Sequence, residues 1–144
     1  MSIVDLAGRE HEAAVIRLLA AAQTHRSSED ALTRAPSIAD EYARSETLRL
    51  WGDEFQGDVV GVVGVERVGP DAAVIRDLAV APEKRRHGIG RALLDFLRSE
   101  GGLVALEGDT LAAAAPFYER CGFRVSEEGT MPDGVTRYRF VWPG

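Results

Sequence analysis

Seven consecutive residues, Arg85-Arg86-His87-Gly88-Ile89-Gly90-Arg91, bring three guanidinium groups and two glycines into one short stretch of chain. Before them, Leu78 and Val80 alternate with Ala79 and Ala81 as a half-buried strand requires. Pro82 stops that strand because it has no N–H for a ladder. After them the period changes. Ile89, Leu93, Phe96 and Leu97 fall on one helical face, and Arg91, Asp95 and Arg98 on the other. The basic loop therefore stands at the mouth of a helix, whose first N–H groups lack partners and carry partial positive charge. Gly88 and Gly90 permit backbone angles barred to other residues and let a ligand approach the main chain. Such a mouth suits a multiply charged anion such as a pyrophosphate. The chain has no Gly-Lys-Ser/Thr run and no G-x-G-x-x-G with a later acid, so other nucleotide-phosphate sites are not expected.

Arg85-x-x-Gly88-x-Gly90 after Leu78-Ala79-Val80 resembles the phosphate-binding motif of the GNAT superfamily of N-acetyltransferases. A second segment, Pro116-Phe117-Tyr118-Glu119-Arg120-Cys121-Gly122-Phe123, also resembles that family, and the likeness runs from Val59 to Tyr138. The resemblance implies a GNAT-like acyl-CoA fold with acetyl-CoA as co-substrate and no metal. The pyrophosphate of coenzyme A would be held by Arg85 and by main-chain N–H groups from Arg86 through His87, Gly88, Ile89 and Gly90 to Arg91. The pantetheine arm would bond the main chain of Leu78, Ala79 and Val80 where that strand splays from the next. An N–H near Leu78 would polarise the thioester carbonyl, and Tyr118 would protonate the departing thiolate. A phenol keeps its proton at neutral pH and can donate it.

Two positions depart from the family pattern. Leu111 stands where an Asn often bonds the pantetheine, which shifts that contact to Thr110. Val74 stands where some members carry a Glu base. Glu66, Asp77 and Glu107 are the nearby carboxylates. Asp77 is the favoured base, because Leu78 and Val80 face the core and so turn Asp77 to the other face. The bland alternative for Asp77 is a strand carboxylate paired with Arg76. Glu66 and Glu107 are the residues expected on the acceptor side; Trp51 reads first as an ordinary strand aromatic, with the edge of the acceptor pocket as its alternative role. Cys121 is expected to be a buried small residue. His11, His25 and His87 have no metal-ligand spacing, and His87 is expected to line the phosphate loop.

These residues need a scaffold, and 144 residues are enough for one domain spanning 1–144 with a proper core. With 45% hydrophobic and 28% charged residues the chain reads as a soluble globular protein. A net charge of −6 argues against nucleic acid as a partner, since the positive charge is local, concentrated at Lys84–Arg86. No apolar run is long enough to span a membrane, and the start lacks a secretory pattern. The single cysteine fits a reducing compartment, so a cytoplasmic location is expected.

In order, the pattern predicts a strand at Ile3–Leu6 and a helix from about Arg9. A loop follows from Gln23 to Arg34, then a second helix opening at Pro36-Ser37. Strands are expected at 47–51, 58–68 and 72–80 as an antiparallel meander, with 52–57 a turn. The organising helix ends at Gly101-Gly102. A short strand at 103–106 runs parallel to 72–80, and a helix covers 111–120. A final hairpin, 123–125 with 135–141, turns at Met131-Pro132-Asp133-Gly134. The sum is an α+β fold of order βααβββαβαββ, a mostly antiparallel sheet with a splayed parallel pair between 72–80 and 103–107. The implied activity is acetyl transfer to a primary amine by direct attack. The acceptor is left open among a small amine, a polyamine, an aminoglycoside-like molecule and a protein lysine. The alternative is a non-catalytic acyl-CoA sensor, and either a monomer or a homodimer is compatible.

Overall fold

The computed structural model describes residues 2–99 and 102–143. In chain order its elements are β1 (Ser2–Asp5), α1 (Ala13–Ala21), α2 (Ser28–Arg44), β2 (Leu48–Phe55), β3 (Asp58–Arg67), β4 (Ala72–Val80), a 3-10 turn (Pro82–Lys84), α3 (Ile89–Ser99), β5 (Ala105–Leu111), α4 (Ala115–Arg120), β6 (Arg124–Thr130) and β7 (Thr136–Trp142). That is the expected α+β order. The described strands form one sheet, β1-β2-β3-β4-β5-β7-β6, and among them only β4 and β5 run parallel. No described helix is long and apolar enough to cross a membrane.

The valines of β3 explain why the sheet carries helices on both faces. Val59 and Val62 point to the side of α1 and α2, where they join Leu18, Leu19, Ala35 and Tyr42. Val60, Val63 and Val65 point to the side of α3 and join Ile89, Leu93, Leu97 and Phe140. A strand buried on both faces reads as a continuous apolar run, as this one does. Each fully buried aliphatic side chain contributes roughly 1.5–3 kcal/mol relative to exposure, so the two layers hold the sheet between them.

Several boundaries differ from the sequence expectation; among them, α1 begins at Ala13 and β6 runs on to Thr130. Helix α2 opens at Ser28, with Pro36 inside it rather than at its start. Ser27 caps it by accepting the Asp30 N–H at 3.1 Å, and Glu29 and Asp30 sit favourably against the helix dipole. The buried stripe Ala31, Ala35, Ala39 and Tyr42 outweighs the backbone bond that Pro36 forfeits. The 52–57 turn shrinks to Gln56-Gly57, both at positive φ (53° and 85°), and β2 continues through Phe55. β5 runs to Leu111 instead of ending at Leu106, because β7 pairs along its whole length. Helix α4 consequently begins only at Ala115, with Pro116 in its first turn, where proline is tolerated. Helix α3 is described to Ser99; of the expected Gly101-Gly102 stop, Gly102 has φ +69° and Gly101 lies outside the described residues.

Candidate active site

β4 and β5 share only three register pairs, Ala72 with Ala105, Ala73 with Leu106 and Val74 with Glu107. Beyond them β5 stays with β7 while β4 stays with β3, so a gap opens between 75–80 and 108–111. The opening is thus walled by 108–111, not by 103–107 as the sequence led us to expect. On the other edge of β4 the Ala81 N–H donates to the Val60 carbonyl at 2.8 Å. Alternation then turns the main-chain groups of Ala79 toward β3, and those of Leu78 and Val80 into the gap. A cleft of about 560 Å³ follows this edge, lined by Leu78, Ala79, Val80, Arg85, Arg86, Gly88, Ile89, Gly90 and Arg91 of the motif.

At the mouth of α3 the first helical bond runs from the Ala92 N–H to the Gly88 carbonyl at 2.9 Å. The N–H groups of Ile89, Gly90 and Arg91 therefore have no acceptor within the helix. Gly88 turns the chain at φ +77°, and Arg86 takes φ +66° without being glycine. A left-handed arginine costs on the order of 1 kcal/mol, the kind of strain that gathers at ligand clamps. Gly90 serves a different end: a Cβ there would lie 3.1 Å from the Phe117 ring, so its absence lets α3 close on α4. Arg91 donates to the Arg120 carbonyl at 3.2 Å and fastens the same joint. His87 is exposed and does not line the cleft.

A second cavity, about 250 Å³, opens on the far side of the gap. Thr24, Leu78, Ala114 and Tyr118 belong to the walls of both cavities, so the two meet at these side chains. Tyr118 is 7% exposed. Its ring stacks on Phe140 with centroids 3.8 Å apart and stands edge-on to Phe117 and Phe123. Phe140 reaches this position across Gly108, where a Cβ would come within 2.4 Å of the ring. Burial raises the Tyr118 phenol above its ordinary value, so it is protonated throughout the neutral range.

Asp77 faces the second cavity from β4 and is 9% exposed. One carboxylate oxygen accepts from the Tyr42 hydroxyl at 2.6 Å and the other from Gln23 Nε2 at 2.7 Å. It is not the ion partner of Arg76, which bonds Glu66 at 2.8 Å instead. Desolvation raises its pKa, and the bonds from Tyr42 and Gln23 oppose that rise. A bulge at this point, where Gly64 opposes Asp77 and Val65 opposes Ile75, leaves Arg76 as the extra residue. Gly64 makes the room: a Cβ there would sit 1.9 Å from the Tyr42 hydroxyl.

Three expected acceptor-side residues lie elsewhere. Glu66 is tied to Arg76, and Glu107 is bonded to Arg139 on β7. Trp51 packs on Phe96 of α3 with ring centroids 4.9 Å apart. None of the three lines either cavity. Thr110 stands in the wall of the second cavity, not of the cleft. Cys121 is buried at the inner side of the cleft, and burial pushes its thiol up. Sequence reasoning missed Gln23, Thr24 and His25, which the α1–α2 segment carries to the site, and Tyr42, which α2 brings there. Glycines interrupting the valine run of β3 were the available signal for Tyr42, since a strand glycine marks a close approach.

The model of the Acetyltransferase (GNAT) domain matches residues 46–125. The protein named N-acetyltransferase camello of Xenopus tropicalis is 34% identical over 109 residues, 70% of this chain and 50% of its own length. The chain thus spans about half of that relative. A Bacillus subtilis (strain 168) protein that carries the name acetyltransferase is 31% identical over 107 residues, 68% of this chain and 71% of its own. Among solved structures, an aminoglycoside 6'-N-acetyltransferase complexed with coenzyme A superposes with a TM-score of 0.76, covering 98% of this chain and 96% of that one. At 14% identity that likeness is one of fold.

Proposed function

The chain belongs to the GNAT acetyltransferase family, and on that premise we propose that it moves the acetyl group of acetyl-CoA to a primary amine by direct attack. The observation that carries the reading is the shared wall at Leu78 and Tyr118, where an elongated cleft and a separate inner cavity meet.

The residues present fit coenzyme A. Free amides from Arg86 to Arg91, with Arg85 and Arg86 beside them, suit the pyrophosphate. The open edge of β4 offers donors and acceptors at Leu78 and Val80 to an arm that carries amides of its own. The walls between are apolar enough to cover the arm's methylenes. The thioester then lies beside Leu78, whose N–H faces its carbonyl oxygen. One such positioned donor is worth about 3 kcal/mol in other acyl transfers. Tyr118 stands at the junction as the donor to the leaving sulfur. The amine enters through the inner cavity, past Asp77 and Thr110. The acceptor is a small-molecule or protein primary amine; Asp77 and Asp109 in that cavity suit a cationic nitrogen. The lone thiol of Cys121 suits a reducing compartment, which the cytoplasm provides.

Two measurements test the reading. Calorimetry with coenzyme A should give a saturable heat, and thiol release from acetyl-CoA should accelerate with at least one member of an amine panel. Binding without any accelerated release would favour a sensor, and no heat at all would remove the reading.

A further inference from the structure

A protonated amine cannot attack a thioester, so the acceptor must lose a proton inside the second cavity. The carboxylate of Asp77 is poorly placed to take it. It is buried, and both of its oxygens already accept hydrogen bonds that hold other elements in place. Through Gln23 it ties down the α1–α2 segment, and through Tyr42 it ties down α2. The segment so fixed carries His25 into the wall of the same cavity. His25 lies between two anchored neighbours. Gln23 is bonded to Asp77, and Arg26 is bonded to Asp30 at 3.0 Å, with the Arg26 N–H on the Gln23 carbonyl at 3.1 Å. The imidazole itself has no hydrogen-bond partner among the described residues.

Resting on the acetyl-transfer reading above, we infer that His25 is the general base of this site and that Asp77 is a positioning residue which holds the base-bearing loop against β4. The neutral imidazole takes one proton from the bound ammonium. The freed nitrogen attacks the acetyl carbon, the N–C bond forms and the C–S bond breaks. Tyr118 protonates the departing sulfur and is reset by the second proton that nitrogen sheds, while His25 returns its proton to solvent.

The charged surroundings agree. His25 is exposed at the cavity's rim, and the partial desolvation it meets there lowers its pKa below the ordinary value of 6.5; Arg26, Arg137 and Arg34 lower it further, against Asp30 which raises it. Arg76, Asp77 and Asp109 are the remaining charged groups of the cavity wall. A ring in these surroundings is neutral at pH 7 and ready to accept.

The test begins with the unmodified protein. Ring 15N spectra of histidine-labelled protein saturated with coenzyme A should show His25 neutral at pH 7 and titrating below 6.5. A His25 already charged at pH 7 would overturn the inference. Kinetics supply the second arm, with basic amines paired to weakly basic analogues, such as butylamine with 2,2,2-trifluoroethylamine. His25→Gln should lower kcat/KM by about 100-fold for the basic member, the lower end of what a general base contributes. The loss should be far smaller for the fluorinated member, which is neutral at pH 7 and needs no such base. Equal losses for both members would mean a structural role and would sink the proposal. So would an unchanged rate. Coenzyme A affinity should be the same in wild type and variant; failure of both to bind it would instead defeat the acetyl-transfer reading.

Discussion

Gly64 is the position where a single added methyl group should do most damage. A Cβ there would lie 1.9 Å from the Tyr42 hydroxyl and 2.4 and 2.8 Å from two ring carbons, where ordinary contact begins near 3.4 Å. Tyr42 is 6% exposed and its ring is rigid, so it cannot yield by rotating its tip. Gly64→Ala must displace the whole ring and break the 2.6 Å bond to Asp77. Overpacking of this kind costs about 1–3 kcal/mol. Loss of a hydrogen bond to a buried carboxylate costs about 1.5–3 kcal/mol more. The gain from replacing a strand glycine returns only about 0.5–1 kcal/mol. The net expectation is a loss of about 2–5 kcal/mol, a large part of the stability of a domain this size. Urea unfolding followed by far-UV circular dichroism should show the midpoint falling by about 1–2 M. In a Tyr42→Leu background the steric conflict is gone, and Gly64→Ala should cost less than about 1 kcal/mol there. A loss below about 1 kcal/mol in the wild-type background, or the same loss in both backgrounds, would refute the reasoning.

Other outcomes follow from the same structure. Tyr118→Phe should lower turnover severalfold and leave the calorimetric affinity for coenzyme A intact, since the ring keeps its stack on Phe140; unchanged turnover removes the phenol from the chemistry. Asp53 is 3% exposed, and one of its oxygens has no hydrogen-bond partner. Asp53→Asn should therefore stabilise the protein at pH 7 by about 1 kcal/mol, seen as a melting temperature a few degrees higher. Desolvation raises the Asp53 pKa, so the native state binds a proton more readily than the unfolded chain. Stability contributed by this group is highest in acid and falls as pH rises through the folded pKa. The advantage of Asn should accordingly vanish toward pH 4, and an advantage that grew in acid would contradict this account.

The fold was largely legible because its signals are local. The period change at Ile89 located α3, and the valine run located β3. What local signals could not convey is how a neighbouring element overrides them. Gly52, Asp53 and Glu54 carry turn composition, yet they stay in β2. A Cβ on Gly52 would meet Leu6 at 2.7 Å, so the glycine is there for close packing and not for a bend. Gly108 breaks the apolar pattern of β5 for the same reason, with Phe140 as its neighbour. The motif residues at the cleft were legible because one short segment holds them. The second cavity was not, since its wall joins the α1–α2 segment to β4, β5 and β7, and nothing in linear order announces that meeting.

Both tyrosines of the site are seated by a glycine in a nearby strand, Tyr42 directly by Gly64 and Tyr118 through Phe140 by Gly108. The two glycines flank the place where the sheet divides. That division leaves an unusual debt in the free protein: from Ile75 to Val80 one edge of β4 faces neither β5 nor any other strand, in the middle of a seven-stranded sheet. Water can satisfy such groups, but a strand that could pair and does not forgoes roughly 0.5–1.5 kcal/mol for each bond left to solvent. The arrangement persists because β7 holds β5 on one side and β3 holds β4 on the other, so neither can swing to close the gap. On the proposed reading, an extended ligand with amides of its own would complete the edge without moving either half. On that reading, the same rigidity that keeps the gap open would fix where the acyl group ends, beside Leu78 and Tyr118.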